Sequence, residues 1–400
     1  MKVLQVNCVY KKGSTGKIVA DIHEHLIQQG VESVVCYGRG KKVKEKNVYK
    51  TCSEFYAKFN NLFSRISGMP YGGCYFSTQK LIRIIKKERP DVVHLHCING
   101  YFVNIYKLVT FLKKSGIKTV LTLHAEFMHT ANCGHAYDCN EWKTGCKNCP
   151  RWREENKSLF FNRTHASWMK MKKAFDGFNN LTVVSVSSWL MDRAKQSPIL
   201  EDKRHEVILN GVDTEVFKCY EDKGCLKEFV SEGEKIVFHV TPSFSDDVNH
   251  NKGGYYVIKL AEMLEEKKIK FIVAGNYQHG IKAPNNIVFL GQIKDQTQLA
   301  KYYSVADVTL LTSKRETFSM VCAESLCCGT SVVGFNAGAP EQVAIREFSR
   351  FVEYGDINAL RDELLSVLDV NSDKQAISAC ARNKYADNIM IEKFVSIYRS

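Results

Sequence analysis

The chain has 400 residues, which at roughly 100–200 residues per domain corresponds to two or three domains. Its 44% hydrophobic and 25% charged residues are ordinary for a folded globular protein, and only seven prolines argue against long disordered segments. The opening MKVLQVNCVY is too short and too polar for a secretory signal, and no run approaches the ~18 apolar residues of a membrane-spanning helix. The sequence therefore favours a protein that folds and stays in the cytosol.

The positive charge is concentrated in the first half of the chain. Residues 1–200 contain 32 Lys and Arg against 14 Asp and Glu, whereas residues 201–400 contain 24 against 29. A basic domain suits a polyanionic partner, either a nucleic acid or an anionic membrane surface, although charge spread over helices also serves solubility. Fifteen cysteines in a cytosolic chain indicate reduced thiols rather than a disulfide framework.

Ten short β-rich runs alternate with helix-length polar segments. In chain order, the predicted strands are Lys2–Val9, Ser33–Tyr37, Asp91–His96, Lys118–His124, Leu181–Val186, Lys235–Thr241, Lys270–Gly275, Asn286–Leu290, Asp307–Leu311 and Thr330–Gly334. Runs such as VVHLH and FIVAG are nearly continuous in apolar or β-branched residues, which is typical of parallel strands covered on both faces. The alternation predicts two α/β domains, each with a doubly wound parallel sheet, that meet near residue 200, where Pro198 and a charged cluster interrupt the pattern.

The loop after the first strand is rich in glycine but matches neither common nucleotide-binding motif. It reads Gly13-Ser14-Thr15-Gly16. A dinucleotide fingerprint needs G-x-G-x-x-G, and a P-loop needs a glycine where Lys11 stands and a hydroxyl where Ile18 stands. The backbone N–H groups that open the first helix could still hold an anion, or the loop could be a tight turn.

Two carboxylates in an E-x7-E pattern, Glu316 and Glu324, give the strongest functional signal. Glu316 follows the strand-like run VTLLTS, and Glu324 lies on the helix predicted after it. Such a pair can accept hydrogen bonds from hydroxyl groups of one long ligand, while the helix-start N–H groups of Phe318, Ser319 and Met320 can point at phosphate. The pattern therefore indicates a ligand with both hydroxyl groups and phosphate.

With these motifs the chain resembles the retaining, nucleotide-sugar-dependent glycosyltransferases of family 4, which have the GT-B fold of two facing Rossmann-like domains. The resemblance covers nearly the whole chain. It rests on the GSTGKI loop, PDVVHLHCINGYFVN, the strand ending in His124, Asn210-Gly211-Val212-Asp213 with Phe217 behind it, Lys252-Gly253, E-x7-E and a closing helix ending in IYRS. It implies an acceptor-binding domain at 1–200, a nucleotide-sugar-binding domain at 201–383 and a last helix, 384–400, that packs back on the first domain.

The resemblance also implies roles for individual residues. Glu324 would bind the ribose hydroxyls of the donor, Glu316 a hydroxyl of the transferred sugar, and Lys252 the diphosphate. His124 would lie beside the donor sugar and the reaction centre, and the loop Gly13–Gly16 would close over the phosphates or the acceptor. A lysine and helix-start N–H groups can stabilise a departing diphosphate without a metal, so we assign neither a catalytic metal nor a protein nucleophile.

Two positions depart from the family pattern. A second cation usually precedes the lysine by a few residues, but residues 241–251 hold neither Lys nor Arg. Lys314 or Arg315 could replace it from the opposite wall. The aspartate that usually follows the strand-end His124 is also missing, and Glu126 stands two residues after that histidine.

Four cysteines lie in a segment, 129–152, that we interpret as an insertion in the first domain. They are Cys133, Cys139, Cys146 and Cys149. The last pair has the C-x2-C spacing of a zinc knuckle, and four thiolates suffice for a structural zinc site. The alternative is reduced thiols packed in an irregular loop over the acceptor cleft, and the sequence leaves both open.

The segment Glu54–Ser67 predicts an amphipathic helix with basic flanks. Lys58 and Arg65 lie among apolar residues that recur at helical spacing. The apolar residues are Phe55, Phe59, Leu62, Phe63 and Ile66. Such a helix can lie on an anionic membrane, or it can cover a core, which is the more common role.

With these motifs, the resemblance implies a retaining hexosyltransferase that moves a hexosyl unit from a nucleoside-diphosphate sugar to a lipid-linked or polysaccharide acceptor. Its place in surface polysaccharide biosynthesis follows from the resemblance alone. The expected partners are the donor, a lipid-linked saccharide and the anionic inner leaflet of the plasma membrane, with no nucleic acid. The enzyme would be cytoplasmic and peripheral on that membrane. Two alternatives remain: a sugar-nucleotide 2-epimerase of the same fold, and a non-catalytic protein that binds zinc and nucleic acid.

Overall fold

The computed structural model describes residues 1–221, 224–226, 228–278 and 280–400. These residues form two compact units. The first consists of Met1–Ile208 and Ile391–Ser400, and the second consists of Leu209–Met390. The sequence pattern indicated a boundary near residue 200, and the contacts place it between Ile208 and Leu209.

The first unit is built on a parallel sheet of seven strands. The strands are β1 (Lys2–Asn7), β2 (Glu32–Tyr37), β3 (Val48–Lys50), β4 (Val92–Leu95), β5 (Lys118–Leu123), β6 (Leu181–Ser185) and β7 (Arg204–Val207). The helices are α1 (Gly13–Gln28), α2 (Glu54–Ser67), α3 (Tyr75–Glu88), α4 (Ile105–Ser115), α5 (Phe127–Thr130), α6 (Trp152–Glu155), α7 (Thr164–Phe175) and α8 (Ser188–Lys195). The strand order is β3-β2-β1-β4-β5-β6-β7, and all neighbours run parallel. Strands β4 and β6 are buried along their whole length, as expected where helices cover both faces of a sheet.

The described residues of the second unit form a parallel sheet of six strands. The strands are β8 (Lys235–Phe244), β9 (Ile269–Tyr277), β10 (Ile287–Gly291), β11 (Val308–Leu311), β12 (Ser331–Phe335) and β13 (Ser349–Val352). The helices are α9 (Gly254–Met263), α10 (Gln296–Val305), α11 (Met320–Cys327), α12 (Pro340–Val343), α13 (Ile357–Leu368) and α14 (Lys374–Tyr385). The strand order is β10-β9-β8-β11-β12-β13. Its core contains Phe271, Val308, Leu310 and Val333, none of which is exposed.

In both sheets the first strand of the unit is a switch point, because the strands that follow it in the chain are added on one side of it and then on the other. Strand β1 lies between β2 and β4, and strand β8 lies between β9 and β11. Connections leave such a switch point toward opposite faces, so a crevice opens at the carboxyl ends of the two neighbouring strands. The prediction of two doubly wound parallel α/β domains is confirmed, and all ten predicted strands are present. The structure adds three short strands that were not predicted: β3, β7 and β13.

The last helix, α15 (Asp387–Arg399), begins among residues of the second unit and ends among those of the first. Its start is later than the predicted residue 384, because α14 continues to Tyr385 and Ala386 has a non-helical backbone conformation that ends it. In the first unit the hydroxyl of Tyr398 lies 2.7 Å from Nδ1 of His94. The ring of Phe394 packs 4.8 Å from the same imidazole.

Helix α2 has its large apolar residues on its exposed side. The hydroxyl of Ser53 accepts the N–H of Tyr56 at the start of the helix, and Gly68 ends it in the left-handed conformation. The buried residues of α2 are Ala57, Asn60 and Ser64. Its five large apolar side chains are 43–82% exposed, so the more common role of covering a core does not apply to them. None of the helices in the described part of the chain is both long and apolar enough to cross a membrane.

Candidate active site

In the second unit the predicted residues Lys252 and Glu316 are in direct contact. Nζ of Lys252 lies 2.6 Å from Oε1 of Glu316. Lys252 belongs to the loop after β8, and Glu316 belongs to the loop after β11, so the pair lies at the switch point of this sheet. The two side chains are 27% and 17% exposed. A ligand at the carboxyl edge of the sheet can therefore reach both charges.

Hydrogen bonds and a close backbone contact hold the lysine loop against the glutamate loop. The carbonyl of Asn251 accepts the N–H of Lys314 at 2.8 Å, and the hydroxyl of Thr312 donates to the carbonyl of Lys252 at 3.1 Å. Gly253 adopts a left-handed conformation with φ +65°, and a Cβ atom there would lie 2.0 Å from the carbonyl oxygen of Thr312. Glycine is therefore required directly after the lysine.

The glutamate loop is fixed on its other side by a Gly-Ala turn. The N–H of Glu316 donates to the carbonyl of Ala337 at 2.9 Å, and the carbonyl of Glu316 accepts the N–H of Ala339. The carboxylate of Glu341 accepts the N–H groups of Ala337 and Gly338 at 3.0 and 2.9 Å. Glu341 therefore holds the turn that holds Glu316.

The second carboxylate of the pattern, Glu324, lies on α11 and is oriented by a tyrosine. The hydroxyl of Tyr303 lies 3.4 Å from Oε2 of Glu324. Complete burial and the charge of Glu324 both raise the pKa of Tyr303 well above its usual range, so it stays a neutral donor. At the start of α11 the hydroxyl of Ser319 accepts the N–H of Cys322, and both Phe318 and Ser319 are buried.

In the first unit His124 follows β5 and contacts a second histidine that follows β4. Nδ1 of His96 lies 3.4 Å from Nε2 of His124, and Nε2 of His96 lies 3.2 Å from Oε1 of Gln5 on β1. Burial, with a smaller effect of the neighbouring histidines, lowers the pKa of His96 well below its usual range. Burial lowers the pKa of His124 from 6.5 to about 4. Both rings are therefore neutral at neutral pH.

Gln5, His96 and His124 form a row of hydrogen-bonded side chains, and the donors and acceptors along this row fix the tautomer of His124. Nε2 of Gln5 donates to the carbonyl of Val19 at 3.2 Å, so Oε1 of Gln5 accepts a hydrogen bond from Nε2–H of His96. A neutral His96 protonated on Nε2 has a lone pair on Nδ1, which must accept from Nε2–H of His124. The lone pair of His124 is therefore on Nδ1.

The row continues through His94, which sequence analysis did not single out. Nδ1 of His94 bonds Tyr398, and its Nε2 lies 2.7 Å from the hydroxyl of Thr122. The rings of His94 and His96 are 3.8 Å apart between centroids. Residues i and i+2 of a strand face the same side, so the H-x-H spacing within VVHLH was the signal that could have identified this pair.

Removing His124 should flatten the pH dependence of stability in the first unit. An unfolded histidine with a pKa of 6.5 is almost fully protonated at pH 5, whereas the folded His124 with a pKa of about 4 stays mostly neutral. Its contribution to the free energy of unfolding therefore falls by about 2 kcal/mol between pH 7 and pH 5, and the loss is complete below pH 4. We expect the free energy of unfolding of the His124→Asn variant to fall less than that of the wild type between pH 7 and pH 5, by the contribution of His124.

Tryptophan fluorescence during denaturant titration would measure this change, because the four tryptophans all lie in the first unit. A suitable control is His25→Gln, since His25 pairs only with the Gln29 side chain at the surface of α1 among the hydrogen bonds described. Equal losses of stability in wild type and His124→Asn between pH 7 and pH 5 would show that His124 is protonated in the folded protein.

The predicted glycine-rich loop opens α1 at the carboxyl edge of the first sheet. Helix α1 begins at Gly13, and the N–H of Lys11 donates to the carbonyl of Gly16 at 2.9 Å. A Cβ atom at Gly16 would lie 3.1 Å from the side chain of Val9, so the absence of a side chain lets the loop lie close to the helix. Ser14 is exposed, and Thr15 is partly exposed. The loop follows β1, and the two histidines follow β4 and β5, so all three occupy the same edge of the sheet.

Glu126 holds the cysteine-rich segment in place. Its Oε1 lies 2.5 Å from Nε of Arg193 on α8, and its Oε2 accepts the N–H of Ala136 at 2.8 Å. Burial alone would raise the pKa of Glu126, but His129 and Arg193 outweigh it and lower the pKa to about 2. Glu126 is therefore an ionised carboxylate whose described contacts are structural.

The four cysteines of the segment lie in one loop region but do not surround a common point. Cys133, Cys146 and Cys149 are buried, and Cys139 is partly exposed. Burial, with the charges of nearby thiols, raises the pKa of Cys146 to about 12, which favours the protonated thiol. Across the described ranges, no three His, Cys, Asp or Glu side chains are placed to hold a metal ion. The structural zinc ion therefore stays a prediction without ligand geometry in this structure.

Comparison with known proteins places both halves of the chain among glycosyltransferases. Residues 15–216 match the model of Glycosyltransferase Family 4, and residues 231–384 match that of Glycosyl transferases group 1. The chain is 23% identical over 425 residues to the putative colanic acid biosynthesis glycosyl transferase WcaC of Escherichia coli (strain K12), with 100% of both chains covered.

Solved structures show the same fold. A glycosyltransferase from Rickettsia africae ESF-5 has a TM-score of 0.68 at 18% identity, covering 100% of this chain and 97% of that one. Alr3699/HepE from Anabaena, in complex with UDP and glucose, has a TM-score of 0.65 at 15% identity, with 99% of each chain covered. The predicted GT-B fold and the predicted family are confirmed, and the chain belongs to glycosyltransferase family 4.

Proposed function

We propose that this glycosyltransferase moves a hexosyl unit, with retention, from a nucleoside-diphosphate sugar to a lipid-linked or polysaccharide acceptor in surface polysaccharide biosynthesis. The observation that carries the proposal is the contact of Lys252 with Glu316 at the switch point of the second sheet. Supporting it, the E. coli relative is named for colanic acid biosynthesis, and the Anabaena structure contains UDP and glucose. We propose that the enzyme works at the inner face of the plasma membrane.

The proposed donor site uses the charges of the second unit. Lys252 binds the diphosphate, and the N–H groups at the start of α11 add positive potential there. Glu324, already oriented by Tyr303, accepts the ribose hydroxyls. As the nucleoside diphosphate departs, negative charge grows on the phosphate oxygen, and a lysine fixed in advance stabilises it most in the transition state.

The proposed sugar contacts need only position the ring and stabilise its positive charge. Glu316 of the second unit accepts a hydrogen bond from a hydroxyl of the transferred sugar. For His124 of the first unit we propose that the Nδ1 lone pair accepts a hydrogen bond from a sugar hydroxyl. For retention, the acceptor oxygen bonds to C1 on the face that the diphosphate leaves. The acceptor proton passes to a departing phosphate oxygen, so the balance of atoms requires no nucleophile from the protein.

Release of nucleoside diphosphate from a panel of UDP-, GDP- and ADP-sugars tests the proposal. The wild-type chain should hydrolyse one donor slowly without acceptor. Interconversion of donor epimers without release would identify the epimerase instead. Failure to bind or use any donor, together with salt-sensitive binding of single-stranded nucleic acid, would identify the nucleic-acid-binding alternative.

A Glu324→Gln variant should bind the donor about 10-fold more weakly with little change in kcat. The ribose contact is made equally in the ground state and the transition state, so its loss raises KM and leaves kcat unchanged. The size of the increase reflects the free energy of a hydrogen bond to a charged group. Donor titration with the kinetics of nucleoside diphosphate release would separate KM from kcat. Glu363→Gln, on the exposed side of α13, is the control. A fall in kcat at constant KM would place Glu324 at the reacting sugar.

A further inference from the structure

We propose that one surface of the first unit docks on an anionic lipid bilayer and so holds the enzyme beside its acceptor. The inference rests on the proposed function for the lipid-linked acceptor, but not for the surface itself. We call this surface the apolar face. It consists of Phe55, Phe59, Leu62, Phe63 and Ile66 on α2, Tyr75 and Phe76 on α3, and Leu159, Phe160 and Phe161 in the loop before α7.

The side chains of the apolar face are largely exposed to solvent. Phe55 is 82% exposed, Phe76 is 72% exposed and Phe160 is 65% exposed. Large aromatic side chains gain most from leaving water, and a contiguous apolar patch on a protein surface marks an interaction site. Helix α2 turns small residues such as Ala57 and Ser64 inward and its large apolar residues outward, which indicates a surface that binds a partner.

Contacts between the three segments make the apolar face continuous. At one end of α2 the N–H of Leu159 donates to the carbonyl of Arg65 at 2.8 Å, and Gly68 packs against the backbone of Phe161. At the other end the ring of Tyr56 lies 5.9 Å from that of Phe76, whose N–H bonds the Tyr56 hydroxyl. The aromatic residues of α3 and of the loop therefore extend the same surface as α2.

The segments that carry this face are rich in Lys and Arg and poor in acidic residues, and Glu54 at the start of α2 is already paired with Arg39. Residues 55–87, 92–125 and 156–175 contain no Asp or Glu, and they contain six, four and five Lys and Arg. Nζ of Lys107 lies 4.4 Å from the centre of the Tyr75 ring, and the guanidinium of Arg163 lies 5.2 Å from that of Phe161. Aromatic rings bordered by cations are suited to the boundary between lipid tails and anionic headgroups.

A groove beside the apolar face offers a place for those headgroups. It has a volume of about 650 Å³ and runs along α3, α4 and α7. Four lysines line it: Lys86, Lys107, Lys114 and Lys170. No acidic residue is among its lining in the described part of the chain. Because Lys107 contacts Tyr75 and also lines the groove, lipid phosphates in the groove and lipid tails under the aromatic rings can be engaged together.

A bilayer suits this surface better than a second copy of the chain. Two copies joined through their apolar faces would bring the surrounding lysines and arginines together, and like charges at close range oppose association. An anionic membrane instead offers apolar tails for the rings and negative phosphates for the cations. Charge therefore selects the lipid surface as the occupant.

Flotation with phosphatidylcholine vesicles, with and without phosphatidylglycerol, tests the proposal. The full chain should bind the anionic vesicles and bind phosphatidylcholine alone only weakly. Phe55→Ser with Phe59→Ser should lower the partition coefficient at least about 10-fold, because each variant side chain leaves less apolar area to bury. The control pair is Ile27→Ser with Val370→Ser, which removes side chains 51% and 61% exposed outside the apolar face.

A second arm changes only exposed charges, so it stays decisive even if the serine variants unfold. Lys86→Gln with Lys170→Gln should weaken binding to anionic vesicles roughly 30-fold, at about 1 kcal/mol per well-placed cation. Lys267→Gln with Lys268→Gln removes the same charge from exposed positions of the second unit and should leave binding unchanged. Equal weakening by the two lysine pairs would overturn the groove as a headgroup site.

Donor hydrolysis without vesicles separates this inference from the proposed function. Variants of the apolar face that lose vesicle binding but still release nucleoside diphosphate support both. A wild-type chain that hydrolyses the donor but does not float with anionic vesicles overturns the inference and leaves the proposed function intact. A dimer in sedimentation velocity that Phe55→Ser with Phe59→Ser abolishes, without vesicle binding, would show that the face joins two copies instead.

Discussion

The Lys252→Met variant should release nucleoside diphosphate from the donor roughly 100- to 1,000-fold more slowly than the wild-type chain, as is typical when one preorganised electrostatic group is removed from a transition state. Nζ of Lys252 is held 2.6 Å from Oε1 of Glu316 before the donor binds. No reorganisation is then needed when charge develops on the leaving phosphate. The loss should therefore appear mainly in kcat, measured by release of nucleoside diphosphate at saturating donor.

Stability should change little in the same variant, which separates catalysis from folding. The lysine and the glutamate are both partly exposed, and such ion pairs contribute only about 0–1 kcal/mol. The matched control is Lys259→Met on α9, because Nζ of Lys259 lies 2.7 Å from the Glu262 carboxylate in an exposed pair of the same unit. That variant should keep wild-type turnover. A Lys252→Met enzyme with wild-type kcat would remove the lysine from the proposed mechanism.

The interior strands of each sheet could be predicted from the sequence, and so could the edge strand β10, but the other three edge strands could not. Runs such as VVHLH and FIVAG became central strands because burial on both faces demands continuous apolar residues. The missed strands β3, β7 and β13 all lie at sheet edges. Their residues are mostly half-buried, and β7 reads RHEV, so no apolar run identifies them. Pairing with a neighbouring strand, rather than composition, makes them strands.

The candidate site was predictable where a residue follows a strand and not where it depends on which strands are neighbours. Glu316 and Lys252 follow predicted strands and carry family motifs that assign both to one donor molecule, although the direct ion pair between them was not predicted. The row from Gln5 through His96 to His124 exists because β1, β4 and β5 are adjacent. That order joins residues far apart in the chain, and local spacing does not encode it.

Helix α2 shows the same limit of prediction from local sequence. Its apolar spacing predicted a helix and its bounds, Glu54–Ser67, correctly. Periodicity gives two faces, but which face the rest of the chain covers is decided by tertiary packing. Here small residues such as Ala57 allow close packing inward, and the large aromatic residues are left outward.

The Gly253→Ala variant should lower turnover about as much as loss of Lys252, although it leaves the lysine in the chain. The added Cβ would lie 2.0 Å from the carbonyl oxygen of Thr312, a backbone atom that cannot rotate away, and φ at Gly253 is +65°. The loop must therefore move, and Lys252 with it. We expect the second unit to lose about 2–4 kcal/mol of stability, measured by denaturant titration with circular dichroism.

A second glycine of the same unit separates two contributions to the loss of stability. One is the clash of the added Cβ atom, and the other is the left-handed backbone conformation. Gly291 has φ +72°, and a Cβ atom there would meet nothing within 4 Å. Gly291→Ala should lose only about 1–2 kcal/mol and should keep its turnover. If Gly253→Ala retained wild-type turnover, the loop would have another position from which Lys252 reaches the diphosphate, and a lysine fixed in advance would not explain the rate.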